Sequence, residues 1–439
     1  MNSDRAQENS TTCGGCPAVV DRGTAVARAE VLMRTAAAVF LICVVAPVVL
    51  LAQDSRPADH DLPRSTPAAE GVSESALGKL VKRAEETHSD ALVLIKNGKL
   101  IGEWYFGHDE GPIHAMSVTK SVVSLGIGHL VDTGAITSLD QPVHEFFPEW
   151  NQGRKKAITV RHLLNHTSGM QADPTTGEIY ASPDFVKLAL AAELESPPGT
   201  KFFYNNKAVN LLAGLVKTAS GVSLDTLIAD KIFTPLGISK FEWMHDHAGN
   251  PHVMAGLCIR PIDLAKIGQL VANQGVWKDN RILSKEWIEQ SSRPSQPFAP
   301  CGLLWWLVRG EATITLDEDL FVAWRKSGAD DELLEKLAAL KDRPMTRTEL
   351  DAAVSQAIGK EKFVELTDNL MKGKWRKPRV EPAPTIGVNA NGYLGQWLVV
   401  LPKDGLVAVR MRRQTGDRLD ADARNGLPEF PEMVRELVR

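Results

Sequence analysis

The sequence predicts an α/β fold of the α+β type: an antiparallel sheet assembled from both chain ends, helices packed on it, and a helical subdomain set into its middle. Three observations carry that expectation. Residues 91–96 and 99–105 are strand-like runs on either side of Asn97-Gly98, a dipeptide that favours the tight turn whose twist matches paired strands. Near the other end, residues 393–401 and 406–411 form a second such pair around Lys403-Asp404-Gly405. Between them helical periodicity dominates, as in residues 261–270.

Taken in order, the chain divides at changes of composition. Residues 35–52 are uncharged and almost wholly apolar, and they follow Arg22, Arg28 and Arg34. Their length lies between an export-signal core and a short membrane span. Read from Met33, the segment 33–52 is a complete signal peptide with cleavage after Ala52, which would leave residues 1–32 as an untranslated extension. If the whole chain is made, an anchor with its N-terminus inside is the equal alternative. Either way the expectation is export to the periplasm or cell envelope. Residues 53–66 are a polar linker, 67–310 the first part of the main domain, and 381–439 its last strands and helix. Residues 311–380 are more charged and helical, with a capping box at Thr346-Arg347-Thr348-Glu349, and read as an insertion. Both its ends lie near strand-like runs, so its amphipathic helices are expected either to cover the rim of a neighbouring cleft or to form a peripheral helical appendage that adds only stability.

Bulk properties exclude several classes. Hydrophobic residues make up 44% and charged residues 24% of the 439-residue chain, an ordinary globular composition. With a formal net charge of -4, the chain lacks the basic balance of a nucleic-acid binder. Five cysteines are too few for a disulfide scaffold at this size. Cys13 and Cys16 have no second pair to complete a zinc site, so neither metal nor cofactor is expected. Whether Cys258 and Cys301 pair stays open.

The chemistry concentrates at His114-Ala115-Met116-Ser117-Val118-Thr119-Lys120, followed by an apolar run to Val131. A buried helix starting near Ser117 would place that hydroxyl among free N–H groups and the positive end of the helix dipole, where an oxyanion is stabilised. Three residues on, Lys120 shares the same face and can activate the serine. Tyr204, in Tyr204-Asn205-Asn206 before a second helical run, supplies a phenol that a nearby ammonium would make easier to ionise. His166 sits among turn formers and reads as a structural hydrogen-bonder, and Asp263 as a residue paired on its own helix.

Taken together, these residues resemble the serine beta-lactamase-like superfamily of class C beta-lactamases, D-Ala-D-Ala carboxypeptidases, related esterases and 6-aminohexanoate-dimer hydrolases. Ser117-Val118-Thr119-Lys120 matches its S-x-x-K motif and Tyr204-Asn205-Asn206 its Y-x-N motif. Residues 163–170, Pro198-Gly199-Thr200, Pro235-Leu236-Gly237-Ile238 and residues 302–306 agree as flanking features. The resemblance implies that Ser117 attacks, Lys120 and Tyr204 move its proton, and Asn206 orients lysine and substrate. It places the third motif, K-T-G or H-x-G, at Tyr393-Leu394-Gly395, with the N–H groups of Ser117 and Gln396 forming the oxyanion hole. Tyr393 stands where those relatives carry a cation for the substrate carboxylate, which favours a small ester or amide over a penicillin or D-Ala-D-Ala peptide. The alternatives implied are a D,D-peptidase or beta-lactamase, and a slow-acylating sensor module.

Overall fold

The computed structural model describes residues 62–172, 175–298, 300–414 and 426–439. Cys13, Cys16 and the apolar run at 35–52 lie outside the described residues. The central element is a six-stranded antiparallel sheet in the order Lys99–Trp104, Ala91–Lys96, Leu406–Met411, Gln396–Leu401, Thr385–Gly392, Trp306–Arg309. Strands from both ends of the chain thus meet at its centre, where Val93 pairs with Val409. The first hairpin turns through Asn97 (φ 52°) and Gly98 (φ 76°), the two positive dihedrals that a tight hairpin turn demands.

Alternation along the strands divides the core in two. Val93, Ile95, Leu398, Val400, Val407 and Val409 face the large core that contains helices Val118–Asp132, Asn206–Ser220 and Pro261–Ala272. Leu92, Leu94, Val399, Leu401 and Ala408 face the terminal helices Glu74–Glu86 and Phe430–Glu436. Helix Val118–Asp132 has apolar or small residues on nearly every side and is buried along most of its length, as its sequence requires. Asp263 is fully buried and pairs with Arg260 and, at 3.2 Å, with Lys266. Cys258 and Cys301 are both buried and are not joined in a disulfide.

The insertion folds on itself. Its strands Thr313–Thr315, Met345–Thr346 and Arg379–Glu381 form a small sheet, and helices Glu318–Lys326, Asp331–Leu337, Arg347–Ile358 and Lys360–Met371 surround it. Leu320, Trp324, Leu334, Leu337, Leu350 and Val354 build a separate core there. The buried apolar positions of these helices thus pack on one another, and the cavity beside Ser117 takes no lining residue from the insertion.

Candidate active site

Ser117 stands at the N-cap of Val118–Asp132, preceded by Met116 at φ 49°. Lys120 Nζ lies 3.0 Å from Ser117 Oγ and 2.6 Å from the Met254 carbonyl oxygen. Met254 is in turn fixed by its N–H, which donates to Asn210 Oδ1 at 3.1 Å. The amine is thus held from two sides. Lys120 is buried, and loss of hydration lowers its pKa from the ordinary lysine value, opposed in part by the neighbouring Tyr204 phenol.

Tyr204 presents its ring to that amine, with Nζ 4.9 Å from the ring centroid. His166 and Trp306 pack on the same ring at 4.6 and 6.3 Å. His166 Nδ1 accepts the Asn205 N–H at 3.2 Å, a role open only to a neutral imidazole, and burial pushes its pKa down to about 3. Asn205 then caps helix Asn206–Ser220: its Oδ1 accepts Ala208 N–H at 2.8 Å, and its Nδ2 donates to Met170 O at 2.9 Å. Asn206 opens that helix, and its Oδ1 is a buried acceptor with no partner among the described residues. Ser117, Lys120 and Tyr204 are therefore brought together, with Ser121, Trp306 and Asn391, around a narrow cavity.

Of the residues expected to form the third motif, Tyr393, Gly395 and Gln396 do not line the cavity beside Ser117. Gln396 is fully buried, its side-chain amide donating to Arg412 O and accepting Arg412 N–H at 2.9 Å. Gly395 abuts Gly426 rather than the serine: a Cβ there would come within 2.0 Å of Gly426 O. Leu394 (φ 67°) and Gly395 (φ 76°) form a turn whose carbonyls accept from the buried Arg410 guanidinium at 3.0 and 2.6 Å. The strand beside the serine ends three residues earlier, in Ala390-Asn391-Gly392. A Cβ on Gly392 would sit 2.9 Å from both Ser117 N and Ala115 O, so only glycine permits that approach. Tyr393 follows directly, and its side chain is 57% exposed. Ala390, two residues before Gly392 on that strand, is buried and uncharged.

The Beta-lactamase family model matches residues 77–427. The chain belongs to that family. Beta-lactamase-family members are serine hydrolases acting on small amides or esters. A 6-aminohexanoate-dimer hydrolase of Paenarthrobacter ureafaciens is 25% identical over 254 residues, 51% of this chain and 63% of that protein. Beta-lactamase-like protein 2 of Dictyostelium discoideum is 28% identical over 163 residues, 35% of this chain and 30% of its own. The match thus spans less than two thirds of either relative. Among solved structures, a Bacteroides dorei protein described as a beta-lactamase superposes with TM-score 0.58 at 17% identity, covering 84% of this chain and 99% of that one. A Bacillus anthracis protein described as a 6-aminohexanoate-dimer hydrolase gives the same TM-score and identity, covering 86% of each chain. At such identity these two show the shared fold.

His252 is a further buried group near the site. Its ring is stacked on Tyr180 at 5.3 Å and meets Phe185 edge-on at 4.8 Å, and neither nitrogen has a partner among the described residues. Burial, with Lys120 nearby, pushes its pKa down from 6.5 to about 4. Between those values the unfolded chain holds more protons than the folded one, so stability rises with pH across that window. It is complete above 6.5 and lost as pH falls, by about 3 kcal/mol for this residue at pH 4. His252→Phe is expected to flatten the pH dependence of the thermal midpoint between those values; an unchanged slope would show that His252 does not carry it.

Proposed function

We propose that this family member hydrolyses a small ester or amide through an acyl-enzyme on Ser117. The observation that carries the reading is the Lys120–Ser117 contact in a water-poor setting. A buried amine with a lowered pKa can spend one N–H on Met254 O and offer its lone pair to the serine proton. Tyr204, against the same amine, relays that proton toward the leaving group. Both donors of the oxyanion hole come from the backbone: the Ser117 amide at the helix start, and the Tyr393 amide that follows Gly392, in place of Gln396. Asn206 and Asn391 hold the substrate's polar groups.

An uncharged Ala390 on the strand beside Ser117 supports esters or amides without a carboxylate beside the scissile bond, and counts against the D,D-peptidase and beta-lactamase alternatives. The same proposal includes export, resting on the apolar composition of residues 35–52. Fluorophosphonate labelling followed by peptide mapping tests the nucleophile: the adduct is expected on Ser117, and labelling elsewhere would sink the assignment. Turnover of a panel of esters, short amides, D-amino peptides and nitrocefin then decides class. Repeated turnover of uncharged esters or amides supports the enzyme, whereas one equivalent of stable adduct with every compound makes the protein a sensor.

A further inference from the structure

The last stretch of the insertion carries its own surface chemistry. Lys372, Lys374, Arg376, Lys377 and Arg379 fall within residues 369–380, which contain no acidic residue. Lys372 is paired with Asp368 at 2.6 Å and Arg379 with Glu381 at 2.5 Å. Lys374, Arg376 and Lys377 are exposed and have no acidic partner among the described residues. They are also held in place. Trp375 packs on Trp324 at 5.7 Å, and Trp324 Nε1 donates to the Arg376 carbonyl at 2.7 Å, so the loop is pinned to the insertion's core while its cations face water.

Exposed aliphatic side chains lie on either side of these cations in sequence. Met371 is 78%, Val364 65% and Val380 57% exposed. Val364 and Met371 are seven residues apart on helix Lys360–Met371 and share a face, and Val380 lies on the edge strand of the small sheet. Water penalises each of these apolar groups, and Met371 and Val380 bracket the unpaired cations in sequence, a combination that suits a partner offering negative charge and hydrocarbon together. A lipid surface does so, with phosphates outside and acyl chains within about 10 Å below them. A polyanion such as nucleic acid would use the cations and leave the aliphatic groups in water.

We propose that residues 364–380 dock the insertion on an anionic lipid surface, with Lys374, Arg376 and Lys377 against headgroup phosphates and Met371 and Val380 entering the interface. The contact is independent of the reaction at Ser117 and is screened by salt. The test is co-sedimentation of the full chain with phosphatidylcholine vesicles, with and without roughly one third phosphatidylglycerol. The readout is the increment in binding that the anionic lipid adds, which separates this face from any lipid affinity of residues 35–52. A Lys374→Glu/Arg376→Glu/Lys377→Glu variant is expected to lose that increment, roughly fivefold or more per cation, with ester turnover unchanged. Met371→Ser/Val380→Ser should weaken binding while keeping its salt dependence. An increment that survives the charge reversals overturns the proposal. So does the absence of any increment in the wild-type chain, which would leave an acidic protein surface as the occupant.

Discussion

Lys120→Met is expected to lower kcat/KM for the best ester by roughly a thousandfold, the size of a general-base contribution, and Ser117→Ala to abolish turnover altogether. Methionine nearly matches the volume of the lysine stem and removes only the amine. The cavity beside Ser117 therefore keeps its walls, while the Met254 carbonyl loses a donor at a cost of about 1–2 kcal/mol. A thermal melt separates that cost from lost chemistry. The pH profile supplies a second check. Burial favours the neutral amine, so the acid limb of kcat/KM should lie below the ordinary lysine range, with activity rising as pH rises through the folded Lys120 pKa. A Lys120→Met enzyme that keeps both its rate and this limb would exclude Lys120 as the base.

The elements legible in the sequence are those whose causes are local. Asn97-Gly98 dictates its own turn, Thr346 and Glu349 cap a helix reciprocally, and Ser117 and Lys120 need only one helical turn to meet. Tyr204 is legible for a related reason, since Asn205 starts the helix behind it. What stays hidden depends on distant or backbone atoms. The Met254 carbonyl holds Lys120 across 134 positions in the chain, and a carbonyl leaves no mark on a sequence pattern. The insertion's helices show an apolar face without showing which surface covers it, and the structure supplies a core of their own.

The residue that approaches Ser117 from the sheet escapes the sequence for the same physical reason. Residues 393–396 continue an acceptable strand pattern, but Leu394 and Gly395 both turn left-handed, and the chain doubles back before Gln396. Arg410 stabilises that turn by donating to both its carbonyls, while also reaching Ser89 Oγ at 2.7 Å and Thr87 O at 2.9 Å. The consequence is a register in which Gly392 pairs with Gln396, so the residue beside Ser117 is Gly392. Only a partner far along the chain fixes this, and periodicity cannot report it.

Gly392→Ala is accordingly expected to cost roughly a hundredfold in kcat and some stability as well, because both atoms in the way belong to the backbone. The added methyl would lie 2.9 Å from Ser117 N and Ala115 O, both of them backbone atoms, so the strand end or the helix start must yield by a few tenths of an ångström. The φ of Gly392 is -143°, an ordinary extended value, so alanine strains no dihedral there. The displacement falls on the Ser117 and Tyr393 amides, whose spacing must match a developing oxyanion, and effects on the ground state should be small by comparison. Gly395→Ala provides the contrast. Its methyl would meet Gly426 O at 2.0 Å on a backbone at φ 76°, so it should lower the thermal midpoint first and the rate only through unfolding. Measuring kcat and the thermal midpoint for both variants tells the two glycines apart. Wild-type kcat in Gly392→Ala would remove the Tyr393 amide from the oxyanion hole, and a rate defect confined to folded Gly395→Ala would return that role to Gln396.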